Sequence, residues 1–308
     1  MIIVVSAARD LHAVEVLNEL QRRGAPATLL DLGEYPRNLA LTMDWPGTRF
    51  RLGEIDFSQC RSVWWRRPQP FLLHDEVRDD TDRRFAYSEI EAAFTGLWSA
   101  LDVRWVNHPT RDDEASRKVY QLKIAEELGF RIPRTCITSD PATARAFAEQ
   151  ETPERTIYKA FAGSEAAWRE TRLLKREEMG VLDNIRFAPV IFQEYVPGTD
   201  LRITVVGDEI FPAAIHVPPS AYPVDFRMTM DNARMEPASL PEALLDQLRQ
   251  YMRRLGLVYG AIDMRLTPEG EYVFFEINPS GQWLFVEHAT RQPITAALAA
   301  TLADSAVV

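Results

Sequence analysis

The sequence predicts an α/β fold in its first third and an α+β fold thereafter, and three observations carry that prediction. The chain opens on a strand-helix-strand pattern over residues 2–32. Two hairpin patterns, 201–216 and 260–279, dominate its C-terminal part, and 308 residues suffice for two or three compact units. A composition of 46% hydrophobic and 26% charged residues excludes a disordered, collagen-like or coiled-coil chain. No window approaches the ~18 uninterrupted apolar residues of a membrane helix. Met1-Ile2-Ile3-Val4-Val5-Ser6 lacks a basic leading region and soon reaches Arg9 and Asp10, so it reads as a strand and not as a signal peptide. Cys60 and Cys136 are too few for a disulfide framework or a zinc site, which agrees with a cytoplasmic location.

Taken in order, the apolar run at 2–5 is a buried strand. The helix after it has Leu11, Val14, Leu17 and Leu20 on one face, Gly24 ends it, and 27–32 is the second strand. Strands near 39–43 and 48–52 precede one at 62–66 that Pro68 stops. A helix is predicted over about 76–101 and a short strand over 104–106, ending in Asn107-His108-Pro109. The next helix runs from about Arg111 to Gly129, with Ala115, Val119, Leu122, Ala125 and Leu128 on one side. Strands follow at 134–138, 156–160 and 190–195, with a helix near 141–150 and irregular polar sequence over 163–172. Gly207-Asp208 is a two-residue turn between strands 201–206 and 209–216. A proline-rich connection leads to a helix over 241–255 with Leu244, Leu248, Tyr251, Met252 and Leu255 facing inward. The second hairpin and a helix near 294–302 complete the chain. Two changes of periodicity divide it into 1–104, 105–199 and 200–308.

With 35 basic against 45 acidic residues and a net charge of -10, the chain lacks the field that would hold nucleic acid or an anionic membrane surface. The five histidines (His12, His74, His108, His216, His288) have no chelating spacing and read as surface or satisfied core residues. Neither GxxxxGK[ST] nor GxGxxG occurs, which excludes a P-loop and a standard dinucleotide site, and there is no GxSxG or HExxH.

The second hairpin, by contrast, has acids where a buried strand should be apolar. Pairing about the turn Thr267-Pro268-Glu269-Gly270-Glu271 sets Asp263 opposite Glu276, and alternation puts Glu276 with Asn278 and Asp263 with Arg265. Three oxygen ligands on one patch suit Mg2+, which takes its remaining ligands from water and substrate phosphates. Because Val273, Phe274 and Phe275 imply burial on both faces, carboxylates there need a cation. A second polar intrusion is Gln193-Glu194-Tyr195-Val196-Pro197-Gly198-Thr199-Asp200, where a strand runs into a turn with free backbone groups. That arrangement suits an adenine edge, with Asp200 left for a ribose, and equally a plain linker between strands.

Lys118, Lys159 at a strand end, Gln193-Glu194-Tyr195-Val196 through Asp200 and Arg202, Asp263, and Glu276-Ile277-Asn278-Pro279 stand in an order that resembles the ATP-grasp ligases, from about residue 105 onward. Val63-Trp64-Trp65-Arg66-Arg67-Pro68, Asp225-Phe226-Arg227 and Glu276 through Trp283 resemble, more closely, the microviridin-type graspetide synthetases, which crosslink side chains of ribosomally made peptides. The resemblance implies an ATP-grasp fold behind an N-terminal α/β (pre-ATP-grasp) domain, and a carboxylate phosphorylated by ATP and then attacked by an amine or hydroxyl. Carried over, Lys118 and Lys159 contact the phosphates, the Glu194 carbonyl and Val196 amide the adenine, Gln193 its exocyclic amine, and Asp200 the ribose. Asp263, Glu276 and Asn278 hold two Mg2+ ions. Arg202 stabilises the acyl phosphate, and Arg227 and Arg265 receive the substrate carboxylate in a bidentate fork. The implied partner is a precursor peptide with a leader segment; a homodimer is an alternative to a monomer. A ligase adding a free amino acid such as glutamate to a peptide or protein carboxylate shares the ATP machinery and is the alternative function. One departure is the phosphate-covering loop, glycine-rich in many ATP-grasp enzymes but holding only Gly163 here, with Glu165, Trp168 and Glu170.

Overall fold

The computed structural model describes residues 1–151, 153–161, 171–218 and 233–304. Arg227 and most of the glycine-poor segment therefore lie outside the described residues. The first elements are β1 (Ile2–Val5), α1 (Leu11–Arg22), β2 (Ala27–Leu30), β3 (Leu41–Asp44), β4 (Arg49–Leu52), β5 (Ile55–Asp56), β6 (Ser62–Trp65), α2 (Asp80–Ala100) and β7 (Arg104–Val106). A parallel sheet in the order β2-β1-β6-β7 forms from the apolar runs, with β3, β4 and β5 as a small antiparallel sheet beside it. Every residue of β1 is at most 1% exposed, which is what an unbroken apolar run in a sheet covered on both faces requires.

The inner face of α1 differs from the one periodicity predicts. Ala13, Val16 and Leu20 face the sheet, whereas Leu11 is 71% exposed. His12 turns inward because its ring stacks on Trp283 at 4.5 Å, so a partner far away in sequence sets the rotation of the helix. Burial lowers the His12 pKa to about 3, with Arg66 adding to the effect, which keeps the imidazole neutral.

The middle of the chain gives α3 (Pro109–Ser116), α4 (Lys118–Glu127), β8 (Thr135–Thr138), α5 (Pro141–Glu151), β9 (Thr156–Lys159), β10 (Arg172–Leu173) and β11 (Val190–Glu194). The single helix predicted from Arg111 is broken at Arg117, whose ψ of 108° is extended. Gln121, just past the break, is buried and fully used. Its Nε2 donates to the carbonyls of Ala115 (2.7 Å) and Ile277 (2.9 Å), and its Oε1 accepts from the Ile277 amide (3.2 Å). The strands form an antiparallel sheet, β10-β9-β11-β8, covered by α5 and by a 3-10 stretch at Arg176–Phe187 that the sequence pattern does not reveal.

The C-terminal part holds β12 (Thr199–Val206), β13 (Glu209–His216), β14 (Arg234–Pro237), α6 (Glu242–Leu255), β15 (Tyr259–Leu266), β16 (Tyr272–Asn278), α7 (Leu284–Thr290) and α8 (Ile294–Ala303). Its antiparallel sheet runs β14-β13-β12-β15-β16. α6 covers one face with the predicted stripe Leu244, Leu248, Tyr251, Met252 and Leu255. α8 packs back onto α1 and the first sheet, so Ile2, Val4, Trp64 and Val106 share a core with Trp283, Val286, Leu298 and Leu302. Among the described residues no helix is long and apolar enough to cross a membrane.

Gly198 turns the chain from β11 into β12 with φ at +145°, and a Cβ on it would stand 2.2 Å from the Leu266 carbonyl oxygen. Gly198→Ala is therefore expected to destabilise by about 1–3 kcal/mol, the usual range for a residue forced into such a conformation. The effect should appear as a lower urea midpoint at unchanged slope.

Candidate active site

The site lies on the face of the C-terminal sheet opposite α6. In the β12–β15 register Arg202 pairs with Asp263 and Asp200 with Arg265, so these four side chains share that face. Asp263 also pairs with Glu276, and Ala261 with Asn278, as the turn predicts. Reaching that register takes a β-bulge. Leu266 pairs with Tyr272 and Met264 with Phe274, symmetric about residue 269, and Phe275 is the extra residue that brings Glu276 opposite Asp263. Below the bulge Val273 faces the site and Phe274 the core; above it Glu276 and Asn278 face the site while Ile277 joins Phe274 in the core.

Lys118 begins α4, and its Nζ donates to Glu276 Oε2; Asn278 Nδ2 donates to Glu276 Oε1 at 3.2 Å. Burial alone would raise the Glu276 carboxyl. The charges of Lys118 and Lys159, with hydrogen bonds from Lys118 and Asn278, outweigh it and hold the pKa near 2. Both lysines singled out in the sequence thus act on one carboxylate, although Lys159 belongs to β9 of the other antiparallel sheet.

Arg202 is 6% exposed. It donates from Nη1 to Asp263 Oδ1 (2.8 Å) and from Nη2 to the Gln282 carbonyl (2.9 Å). Burial pushes its pKa down, but Asp263 pushes it further up, so the guanidinium stays charged. Beside it opens a cleft of 670 Å³ lined by Arg67, Asp112, Asp263, Asn278 and Phe285, among others. The structure places Arg202 at this cleft next to the first proposed metal ligand.

Arg265 is bonded within the fold. Its guanidinium is buried and donates from Nε (2.9 Å) and Nη2 (2.5 Å) to Asp200 Oδ1 and from Nη1 to the Val196 carbonyl (2.8 Å), while stacking on Phe275 at 5.4 Å. Each of its three nitrogens thus already donates within the fold. It fastens the Val196 turn to β15, and Asp200 is its anchor. Gln193 is buried, and its Nε2 donates to Thr135 Oγ1 (2.9 Å). The Glu194 amide donates to the Arg134 carbonyl (3.0 Å), and its carboxylate lies 4.0 Å from Arg131.

Three further residues support the site. Arg66, fully buried at the end of β6, donates from Nε to Asp10 (3.1 Å) and from Nη1 to the carbonyls of Ser280 (2.5 Å) and Gly281 (2.7 Å). It also sits over the Trp283 ring at 5.3 Å. Asn107 uses both ends of its amide. Nδ2 donates to the Tyr259 (2.9 Å) and Pro279 (3.2 Å) carbonyls, and Oδ1 accepts from the Val258 (2.8 Å) and Tyr259 (2.9 Å) amides. Gly281 must be glycine for closeness, since a Cβ would lie 2.4 Å from Ala261 Cβ and 2.9 Å from Arg202 Nη2. In the sequence, the first two each stand just past a strand and two residues before a proline.

Among the described residues no three His, Cys, Asp or Glu side chains converge as a metal cage. The donor set on this face is two carboxylates and an amide. Hard oxygen donors, Glu276 ionised far below neutral pH and Asp263 and Asn278 lining an open cleft, fit Mg2+ with its retained waters.

Comparison with known proteins agrees with this geometry. Residues 1–113 match the family described as the MvdD pre-ATP grasp domain. The alpha-aminoadipate–LysW ligase LysX of Sulfurisphaera tokodaii is 25% identical over 59% of this chain, which spans 65% of that protein's length. The macrocyclase MdnC of Microcystis aeruginosa, solved with its precursor peptide MdnA, is 28% identical and superposes with a TM-score of 0.87 over 99% of both chains. A RiPP-associated ATP-grasp ligase of Chryseobacterium gregarium, solved with ADP and leader and core peptides, is 25% identical with a TM-score of 0.88, over 99% of this chain and 97% of its own. A pre-ATP-grasp sheet, two antiparallel sheets facing one carboxylate and this end-to-end likeness make the chain similar to the ATP-grasp ligases of graspetide type.

Proposed function

We propose that the chain uses ATP to activate a side-chain carboxylate of a ribosomally made precursor peptide as an acyl phosphate, which a hydroxyl or amine of the same peptide attacks to give an ester or amide crosslink. The observation that carries the reading is the convergence of Lys118 and Lys159 on Glu276, beside the Arg202–Asp263 pair. Likeness over nearly the whole chain to two ligases solved with precursor or core peptides supports it.

In this reading the units 1–104, 105–199 and 200–308 are its domains, and ATP lies between the last two. Lys118 and Lys159 take the phosphates, and Gln193, Glu194 and Val196 flank the adenine. Asp200 holds the ribose edge of the site while anchoring Arg265. Asp263, Glu276 and Asn278 would hold Mg2+, two ions in number, which when bound offsets the charge on the transferring phosphoryl oxygens. Arg202 then faces charge that develops on the acyl phosphate, where a preformed, desolvated guanidinium is most effective. Arg227 receives the substrate carboxylate. Two free thiols, Cys60 and Cys136, are consistent with action in the cytoplasm.

The test is incubation with ATP, Mg2+ and a short peptide rich in Thr, Ser or Lys together with Asp and Glu, taken from the reading frames beside the gene where one is found there. Loss of one water per link, with ADP released, is the expected result. A gain of one residue's mass when free glutamate is supplied would instead favour the amino-acid ligase, and no mass change with either would sink both.

A further inference from the structure

Four carboxylates near the cleft face cations. Asp10 faces Arg66 (3.1 Å), Asp200 faces Arg265 (2.5 Å), Asp263 faces Arg202 (2.8 Å) and Glu276 faces Lys118. Asp112, on α3, forms no ion pair among the described residues. It accepts a hydrogen bond from Ser280 Oγ at 3.3 Å and lines the same cleft as Arg202 and Asp263, from a different wall. A carboxylate that must stay an anion is held by a cation; one that must gain and lose a proton is left without one.

Resting on the ligase activity proposed above, we infer that Asp112 is the acceptor of the proton lost by the peptide hydroxyl or amine as it attacks the acyl phosphate. The nucleophile's oxygen or nitrogen bonds to the carbonyl carbon, and the carbon–oxygen bond to phosphate breaks with its electron pair leaving on phosphate. The nucleophile's proton passes to a carboxylate oxygen of Asp112 and from there to the departing phosphate. Burial raises the Asp112 carboxyl to about 6 against the hydrogen bonds from Ser280 and Asn107, with Asp113 adding to the rise and Arg66 opposing it. Such a group is an anion at neutral pH yet basic enough to take the proton. Arg67, Arg202 and Asp263 are the other charged groups that line the cleft with it.

Hydroxylamine, which attacks acyl phosphates without a general base, separates the two half-reactions. With the same peptide, ATP and Mg2+, Asp112→Asn should crosslink about 10²- to 10⁴-fold more slowly than the wild type. Hydroxamate should still form at the wild-type rate. Asp112→Glu should recover part of the crosslinking, and Asp113→Asn, whose carboxylate pairs with Arg117 on the exposed side, should leave the rate well above pH 6 unchanged. The wild-type crosslinking rate should fall as pH drops through about 6, and Asp112→Asn should lose that limb. Crosslinking by Asp112→Asn within a few-fold of wild type would overturn the assignment. So would parallel loss of crosslinking and hydroxamate, which would put Asp112 in the phosphorylation step or the fold. No hydroxamate from the wild type would instead bring down the ligase reading itself, and this inference with it.

Discussion

Glu276→Gln is expected to leave a folded protein whose ATP turnover in the presence of peptide falls by at least about 10³-fold, or ~4 kcal/mol of transition-state stabilisation. The substitution keeps the shape but turns one of two acceptor oxygens into a donor and removes the anion on which Lys118 and Lys159 act. It thereby weakens the oxygen set proposed for Mg2+ and leaves a part-buried ammonium uncompensated. ADP release and a melting curve on the same preparation check it, and wild-type turnover would refute the metal assignment. A pH signature accompanies the effect. The folded pKa of Glu276, near 2, lies below its ordinary value of 4.5. Its stabilisation is therefore present above about pH 4.5 and is lost as pH falls toward 2, and Glu276→Gln should flatten that part of the acid limb.

Arg66→Met is expected to be the most damaging change to stability, costing about 3–5 kcal/mol, the range for breaking a buried ion pair from one side. It strands Asp10 and takes the donor from two loop carbonyls, at Ser280 and Gly281, while the methionine keeps some of the contact with Trp283. Because Gly281 abuts Arg202 Nη2 and the Gln282 carbonyl accepts from it, the loss should also reach the active cleft. Urea unfolding of Arg66→Met, Asp10→Asn and the double variant measures the pair. The double variant should be less destabilised than the sum of the two, and simple additivity would mean that the pair contributes no coupling.

Much of this architecture could be read from the sequence because it depends on local pattern. The stripe of α6 and both hairpins follow from spacing and turn residues alone, whereas the meeting of Asp263 with Glu276 also takes the bulge. The bulge is harder to read: Phe274-Phe275 gives no sign of which phenylalanine is the extra one, and only the packing of Phe274 beside Ile277 decides it. Long-range partners account for the rest. His12 turns α1 because of Trp283, and α3 parts from α4 where Gln121 docks on β16. Arg265 carries the same charge whether it serves substrate or structure, and its role is set by Asp200 and the Val196 carbonyl, which a linear motif does not specify.

The shared core between the first sheet and α8 bears on the order in which the protein can be made. β1, β6 and β7 leave the ribosome early, yet the residues that cover one side of them, Trp283, Val286, Leu298 and Leu302, come last. The Ser62 hydroxyl likewise donates to the Leu302 carbonyl, 240 positions later. At roughly 5–20 residues per second, the apolar strands stay uncovered on that side for about 10–50 seconds of synthesis. During that interval the N-terminal sheet is the segment most exposed to wrong partners, and the closing of α8 over it is what makes the nascent chain safe from them.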